Sequence, residues 1–146
     1  MAQPAAASAD QAPATIEPNY VVISADCHGG ANIVDYRPYL EPRYHDDFDA
    51  WRTSFENPYP DTEGDDAERN WNSNRRLAEL EADGVVAEVV FPNTIPPFFP
   101  KTSLMHQPPG ASDGDLERRW AGLRAHNRWL ADFCGDAPGR RAGICQ

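Results

Sequence analysis

The 146-residue sequence predicts an α/β fold built on a parallel sheet. Apolar runs with the composition of strands occupy residues 20–26 and 85–91, and a third begins at residue 141. Helical periodicity fills two of the connections, at residues 73–83 and 113–135. Because each connection is long enough to return the next strand parallel to the one before, the order strand, helix, strand, helix, strand is typical of an α/β protein.

The first strand ends in a carboxylate and an imidazole, Asp26 and His28, and a glycine pair follows at residues 29–30. Side chains alternate between the two faces of a strand, so we expect Asp26, His28 and Ser24 on one face and Cys27 on the other. An oxygen and a nitrogen donor at the carboxyl end of a buried strand would make half of a divalent-metal site. The alternative is a structural hydrogen-bonded pair.

A long segment after strand one, residues 31–66, is dense in proline, tyrosine and acidic residues. Phe48, Trp51 and Phe55 recur at helical spacing and predict a short amphipathic helix over residues 42–54. The segment could be a lid over the pocket into which strand one opens. Alternatively, it is an aromatic patch that packs on the scaffold or on the second subunit of a homo-oligomer.

The helix over residues 73–83 ends before Gly84, which suits a left-handed C-terminal cap. The nearly continuous apolar run over residues 85–91 predicts a strand buried on both faces. Glu88 interrupts that run, and we expect it to face the barrel-like interior beside the polar face of strand one. We interpret it as a paired structural carboxylate rather than a catalytic one.

The loop over residues 92–100 leaves the second strand at the same end of the sheet as Asp26 and His28, and its prolines prevent further pairing. Phe98 and Phe99 in this loop would suit the wall of a pocket for a planar or aromatic substrate. Packing of the loop against the preceding insertion explains them equally well. Asn93 is the third candidate for substrate binding.

The strongest helical pattern runs over residues 113–135, and Gly139 lies in the turn that follows. We interpret His126 as a surface or packing histidine. The expected buried stripe consists of side chains spaced three and four apart: Leu116, Trp120, Leu123, Asn127, Leu130 and Cys134. The chain ends within the third strand, so we expect residues 20–146 to be the N-terminal part of a larger fold.

Composition narrows the possible partners and compartment. Net charge is −10, with 23 acidic against 13 basic residues, which excludes the basic footprint of a nucleic-acid or anionic-membrane binder. Three scattered cysteines without a CxxC motif favour reduced thiols in a cytoplasmic protein. Residues 1–19, rich in Ala, Pro, Gln and Ser, predict a disordered leader, and no stretch approaches the length of a membrane span.

Five motifs together resemble the amidohydrolase superfamily, and within it the amidohydrolase-2 family with its 2-amino-3-carboxymuconate-semialdehyde decarboxylase-like enzymes. The motifs are ISADCH at residues 23–28, LEADGV at 80–85, FPNT at 91–94, RAHNRWL at 124–130 and PGRRAG at 138–143. The resemblance implies the first three strands of a (β/α)₈ barrel, with two crossover helices and an insertion after strand one. A complete barrel takes about 250 residues.

The resemblance also implies a divalent metal. In the family, a His-x-His pair on strand one joins two later histidines and an aspartate. Here Asp26 stands at the first of these positions and His28 matches the second. Such a donor set suits Zn²⁺, the expected ion, with Mn²⁺ as the second choice. The implied activity is hydrolysis or non-oxidative decarboxylation of a small aromatic or unsaturated carboxylic acid, with a slight preference for decarboxylation, and we expect this chain alone to be inactive.

A non-catalytic protein is the competing interpretation. It would be a small α/β domain that binds a partner through the aromatic insertion, with Asp26 and His28 as a structural pair. Its sheet would then be doubly wound, with strand one in the centre.

Overall fold

The computed structural model describes residues 20–58, 63–100 and 113–146. The predicted disordered leader, residues 1–19, lies outside this range. The main elements are strands β1 (Val22–Gly29), β2 (Val85–Pro92) and β3 (Arg141–Gly143) and helices α1 (His45–Ser54), α2 (Ser73–Ala82) and α3 (Asp113–Gly135). Between β1 and α2, the described residues include 3₁₀ helices at Ile33–Tyr39, Pro42–Tyr44 and Asp65–Asn70.

The three strands form one parallel sheet in the order β1-β2-β3. The predicted α/β fold with a parallel sheet is therefore confirmed. Strand β2 is central, whereas a doubly wound sheet centred on strand one would place β1 between the other two. Strands that pair in chain order, each joined to the next by a helix, are compatible with part of a (β/α)₈ barrel.

Helices α2 and α3 both lie on one face of this sheet. Glu88 on that face is bound by Arg76 of α2, and a Cβ added to Gly143 would meet Leu130 of α3. On the opposite face, Phe91 and Ile23 are exposed. The expectation that β2 is buried on both faces is wrong within the described residues, because all of the helical packing there lies on one side.

Strand β1 is irregular where it approaches the candidate metal ligands. Ser24 pairs with Glu88 and Cys27 pairs with Val90, so three steps along β1 match two along β2. The extra residue forms a bulge that reverses the alternation of faces. As a result Cys27 Sγ donates a hydrogen bond to Ser24 Oγ over 3.1 Å. The expectation that Ser24 shares a face with Asp26 and His28, opposite Cys27, is therefore wrong.

Helix α3 has the predicted bounds, but its buried face matches the predicted stripe only in part. Leu130 of that stripe is buried, whereas Leu116 and Trp120 are 45% and 53% exposed. The rest of the buried face carries small residues with larger ones behind them: Ala121, Gly122, Ala125, His126, Trp129 and Phe133. The small residues let the helix backbone approach the loop after β2, and a Cβ on Gly122 would overlap the carbonyl oxygen of Pro97.

The remaining boundaries follow local signals. The expected helix over residues 42–54 begins as a 3₁₀ turn and continues as α1. Helix α2 starts where Asn72 Oδ1 accepts a hydrogen bond from the Arg75 amide, and it ends before Gly84, whose φ of 73° is left-handed. Across the described ranges, none of the helices combines the length and the hydropathy needed to cross a bilayer.

Candidate functional site

Asp26 and His28 lie within β1, near its carboxyl end, and both are exposed. The ring of His28 lies beside that of Phe91, with centroids 6.0 Å apart, so it is on the face that the helices leave uncovered. Asp26 is two residues earlier, and strand alternation directs it to the same face. Within the described chain, neither side chain has a hydrogen-bond or ion-pair partner, so their donor atoms are available to a ligand.

His28 and Asn93 meet at one cleft of about 320 Å³, although they come from different strand ends. The backbone amide of Asn93 donates to the Gly29 carbonyl over 3.0 Å, which extends the β1–β2 pairing beyond His28. The Asn93 side chain donates to Asn70 Oδ1 over 2.6 Å. The charges that line the cleft favour neither an anionic nor a cationic ligand. They are two guanidinium groups and two carboxylates, from Arg69, Arg76, Glu79 and Asp83.

Phe98 and Phe99, the other predicted substrate contacts, are placed differently from each other. Phe98 is 8% exposed and lies against the rings of Phe48 and Trp51 in the core. This is the packing of the loop on the insertion that the sequence also allowed. Phe99 is half-buried beneath the guanidinium of Arg119, and its carbonyl accepts a hydrogen bond from the Trp51 indole. Neither ring reaches the cleft of His28.

The donor chemistry of Asp26 and His28 fits a divalent ion of the Zn²⁺ or Mn²⁺ type. Their number is smaller than a closed site requires, since catalytic zinc sites use three protein ligands. No group of three or more His, Cys, Asp or Glu side chains that could hold a metal occurs among residues 20–58, 63–100 and 113–146. Two side chains alone do not complete such a site, and any further ligands would have to come from outside the described residues.

Behind the strand ends lies a buried ion network that the sequence predicted only in part. Glu88 is 1% exposed, and its carboxylate accepts from Arg76 Nε over 2.8 and 2.9 Å and from Arg141 Nε over 2.9 Å. The paired, structural role of Glu88 is confirmed. Its expected position in the interior of the barrel is wrong, because the carboxylate faces the helices. Burial opposes ionisation, but the hydrogen bonds and charge of Arg76, followed by those of Arg141, hold the pKa of Glu88 below its ordinary value.

Arg76 also connects this network to the candidate metal ligands. Its Nη1 donates to the backbone carbonyl of His28 over 2.7 Å and to that of Arg69 over 2.9 Å. The backbone that carries His28 is therefore fixed by a side chain of α2. Arg141 has a matching role on the other side, where it donates to the Phe133 carbonyl and stacks 4.0 Å from the Phe133 ring.

A second buried polar group, which the sequence did not predict, joins the insertion to α3. The phenol oxygen of Tyr36 lies 2.7 Å from Thr94 Oγ1 and 2.9 Å from His126 Nδ1, and both contacts are hydrogen bonds. Tyr36 and His126 are fully buried. Burial raises the pKa of Tyr36, so it stays a neutral phenol, and it lowers the pKa of His126 to about 4. His126 is thus a packing histidine, one of the two roles expected for it.

This burial predicts a loss of stability in mild acid. The unfolded chain binds the His126 proton near pH 6.5, whereas the folded chain binds it near pH 4. The contribution of neutral His126 is complete above pH 6.5 and is lost as the pH falls towards 4, by at most about 1.4 kcal/mol per unit and about 3 kcal/mol in all. Urea unfolding at a series of pH values measures it.

The variant His126→Gln tests this assignment. It should flatten the dependence of the free energy of unfolding on pH between pH 6.5 and 4. Glu88 adds to acid unfolding only below its ordinary unfolded pKa, near 4.3, so the two effects separate by pH. An unchanged slope in His126→Gln would contradict the assignment.

Comparison of the chain with protein-family models, with curated proteins and with solved structures gave no match.

Proposed function

We propose that this chain contributes the first three strands of a metal-dependent enzyme of the amidohydrolase type, in which Asp26 and His28 are two of the metal ligands. The observation that carries the proposal is the position of this pair. Its two donor groups are exposed near the carboxyl end of β1, on the face of a sequentially ordered parallel sheet that the helices leave uncovered. That end of a parallel barrel is where such enzymes place their active sites.

The chemistry would be hydrolysis, or non-oxidative loss of CO₂, on a small aromatic or unsaturated carboxylic acid. A divalent ion held there would supply Lewis acidity. Asp26 would contribute an anionic oxygen, and neutral His28 would contribute nitrogen. Asn93, in the cleft of His28, would offer its amide to the substrate, and its bond to Asn70 would hold it in place. In keeping with three free cysteines, we propose a cytoplasmic enzyme.

The experiment is a titration of the protein with Mn²⁺, observed by NMR. Paramagnetic Mn²⁺ should selectively broaden the imidazole signals of His28 and the amide signals of neighbouring Asp26. We expect weak binding, since two protein ligands are fewer than a tight site needs. His28→Ala should abolish the selective broadening at Asp26, and it should change the free energy of unfolding by less than about 0.5 kcal/mol because His28 is exposed.

Two other histidines are internal controls. Both ring nitrogens of His45 are engaged, Nδ1 with Arg37 at 3.1 Å and Nε2 with the Leu40 carbonyl at 3.2 Å. His126 is buried. Equal broadening of His45 and His28, or no broadening of His28, would refute the role of this pair as metal ligands.

A further inference from the structure

A second cavity, of about 510 Å³, lies beside the strand ends but apart from the Asp26–His28 pair. Its described lining comes from the turn after β1, from the loop after β2 and from the segment between α1 and α2, and it includes neither Asp26 nor His28. Its volume is within the range of small-molecule sites. Thr94 is part of this lining. Among the hydrogen-bonded residues Tyr36, Thr94 and His126, it is the one nearest to solvent.

The position of Thr94 is closely fixed. Its Oγ1 lies 2.7 Å from the Tyr36 phenol oxygen. Gly30 packs against it so closely that a Cβ on Gly30 would overlap the Thr94 side chain. The Thr94 side chain is therefore held in one position in the lining of the cavity.

The position of the proton on His126 decides the direction of the hydrogen bonds that join His126, Tyr36 and Thr94. Within the described structure, Nε2 of the fully buried His126 has no partner. A buried N–H without an acceptor is costlier and rarer than a bare ring nitrogen, which favours the tautomer with the proton on Nδ1. In that tautomer His126 donates to Tyr36, and Tyr36 donates its own proton to Thr94. The Thr94 proton remains, with no acceptor among the described residues, and is available to a ligand in the cavity.

The rest of the lining indicates what that ligand would be. Phe55 and Trp71 offer aromatic surface, and Glu63 and Glu68 place two carboxylates in the same lining. Carboxylates beside aromatic rings attract an organic ammonium group and repel a carboxylate. A hydrogen-bond acceptor for Thr94, a flat ring and a positive charge together describe an arylalkylamine that carries an oxygen and is protonated at neutral pH.

We propose that this cavity binds a small hydroxylated arylalkylamine in its ammonium form. The Thr94 hydroxyl, which Tyr36 and His126 orient, donates a hydrogen bond to the oxygen of the ligand. The site is separate from the proposed metal ligands and does not depend on a bound ion.

The test compares two probes that differ in the sign of their charge, tyramine and 4-hydroxyphenylacetate, by NMR titration of the full chain. Tyramine should shift the Trp71 indole and the Thr94 amide in a saturable way. 4-Hydroxyphenylacetate should bind at least fivefold more weakly, since its carboxylate meets Glu63 and Glu68. Equal affinity for the two probes, or shifts that avoid Trp71 and Thr94, would overturn the proposal.

Matched variants then assign the contacts. Thr94→Val, which keeps the shape but removes the hydroxyl, should weaken tyramine binding about fivefold to tenfold, and Thr94→Ser should restore most of it. Glu68→Gln should weaken it about twofold to fivefold, while Glu81→Gln, outside the lining, should have no effect. Wild-type affinity in Thr94→Val would exclude the hydrogen bond.

The wild-type protein gives a further readout that needs no variant. Long-range ¹H–¹⁵N correlation identifies which ring nitrogen of His126 carries the proton at neutral pH. We expect the Nδ1–H tautomer. The Nε2–H tautomer would reverse the chain, direct the Thr94 proton towards Tyr36 and overturn the assignment of Thr94 as the donor.

Discussion

Glu88→Gln is expected to lower the free energy of unfolding by about 3–5 kcal/mol. Glutamine keeps the shape of the side chain but removes the carboxylate charge that binds both Arg76 and Arg141, and the Arg141 side chain is fully buried. Removing one member of a buried ion group leaves its partners with an uncompensated charge, which costs far more than losing a surface ion pair. Urea denaturation at pH 7 measures the change.

The matched control is Glu81→Gln. Glu81 also pairs with an arginine, Arg140, at 3.1 Å, but its side chain is 64% exposed. Exposed pairs contribute little, so this variant should stay within about 0.5 kcal/mol of the wild type. If the two variants lost similar amounts, the burial of the Glu88 network would not be what stabilises the fold.

Gly122→Ala is expected to destabilise the protein by about 3 kcal/mol or more, although alanine is the better helix former. The added Cβ would overlap the Pro97 carbonyl oxygen, which belongs to backbone and cannot rotate away. Either α3 or the loop after β2 has to shift, and that loop carries Phe98 in the core. Thermal and urea unfolding would both show the loss.

The same helix supplies the control. Apart from the backbone of its own helix, no heavy atom of the described residues lies within 4 Å of a Cβ added to Gly114, so Gly114→Ala should be neutral or stabilising by up to about 1 kcal/mol. An equal loss in Gly114→Ala and Gly122→Ala would show that close contact with Pro97 is not the cause of the destabilisation.

Local sequence signals predicted where the elements lie better than which way they face. Gly84 and the apolar run after it set the end of α2 and the start of β2, because capping and strand formation depend on adjacent residues. The predicted buried face of α3 is correct at Leu130 but wrong at Leu116 and Trp120, because helical spacing alone does not show which side meets the rest of the fold. The helix instead uses Ala121 and Ala125, since close approach to the loop and the insertion requires small side chains.

The candidate site shows the same division. That His28 and Asn93 would come near each other follows from the shared end of parallel strands, which is a rule of topology. The bond between Tyr36 and His126 joins residues 90 positions apart, and no local pattern carries that information. The bulge between Ser24 and Cys27 depends on pairing with β2, so alternation along β1 alone could not reveal it.

The two bonds from Arg76 to the carbonyls of His28 and Arg69 divide this region into parts with different tolerance to change. The exposed side chains at the end of β1 can be exchanged in protein engineering with little risk to folding, so new ligand sets can be tested there. Arg76 permits no such freedom, although it is not a candidate ligand. The scope for changing the Asp26–His28 pair therefore depends on a residue outside that pair.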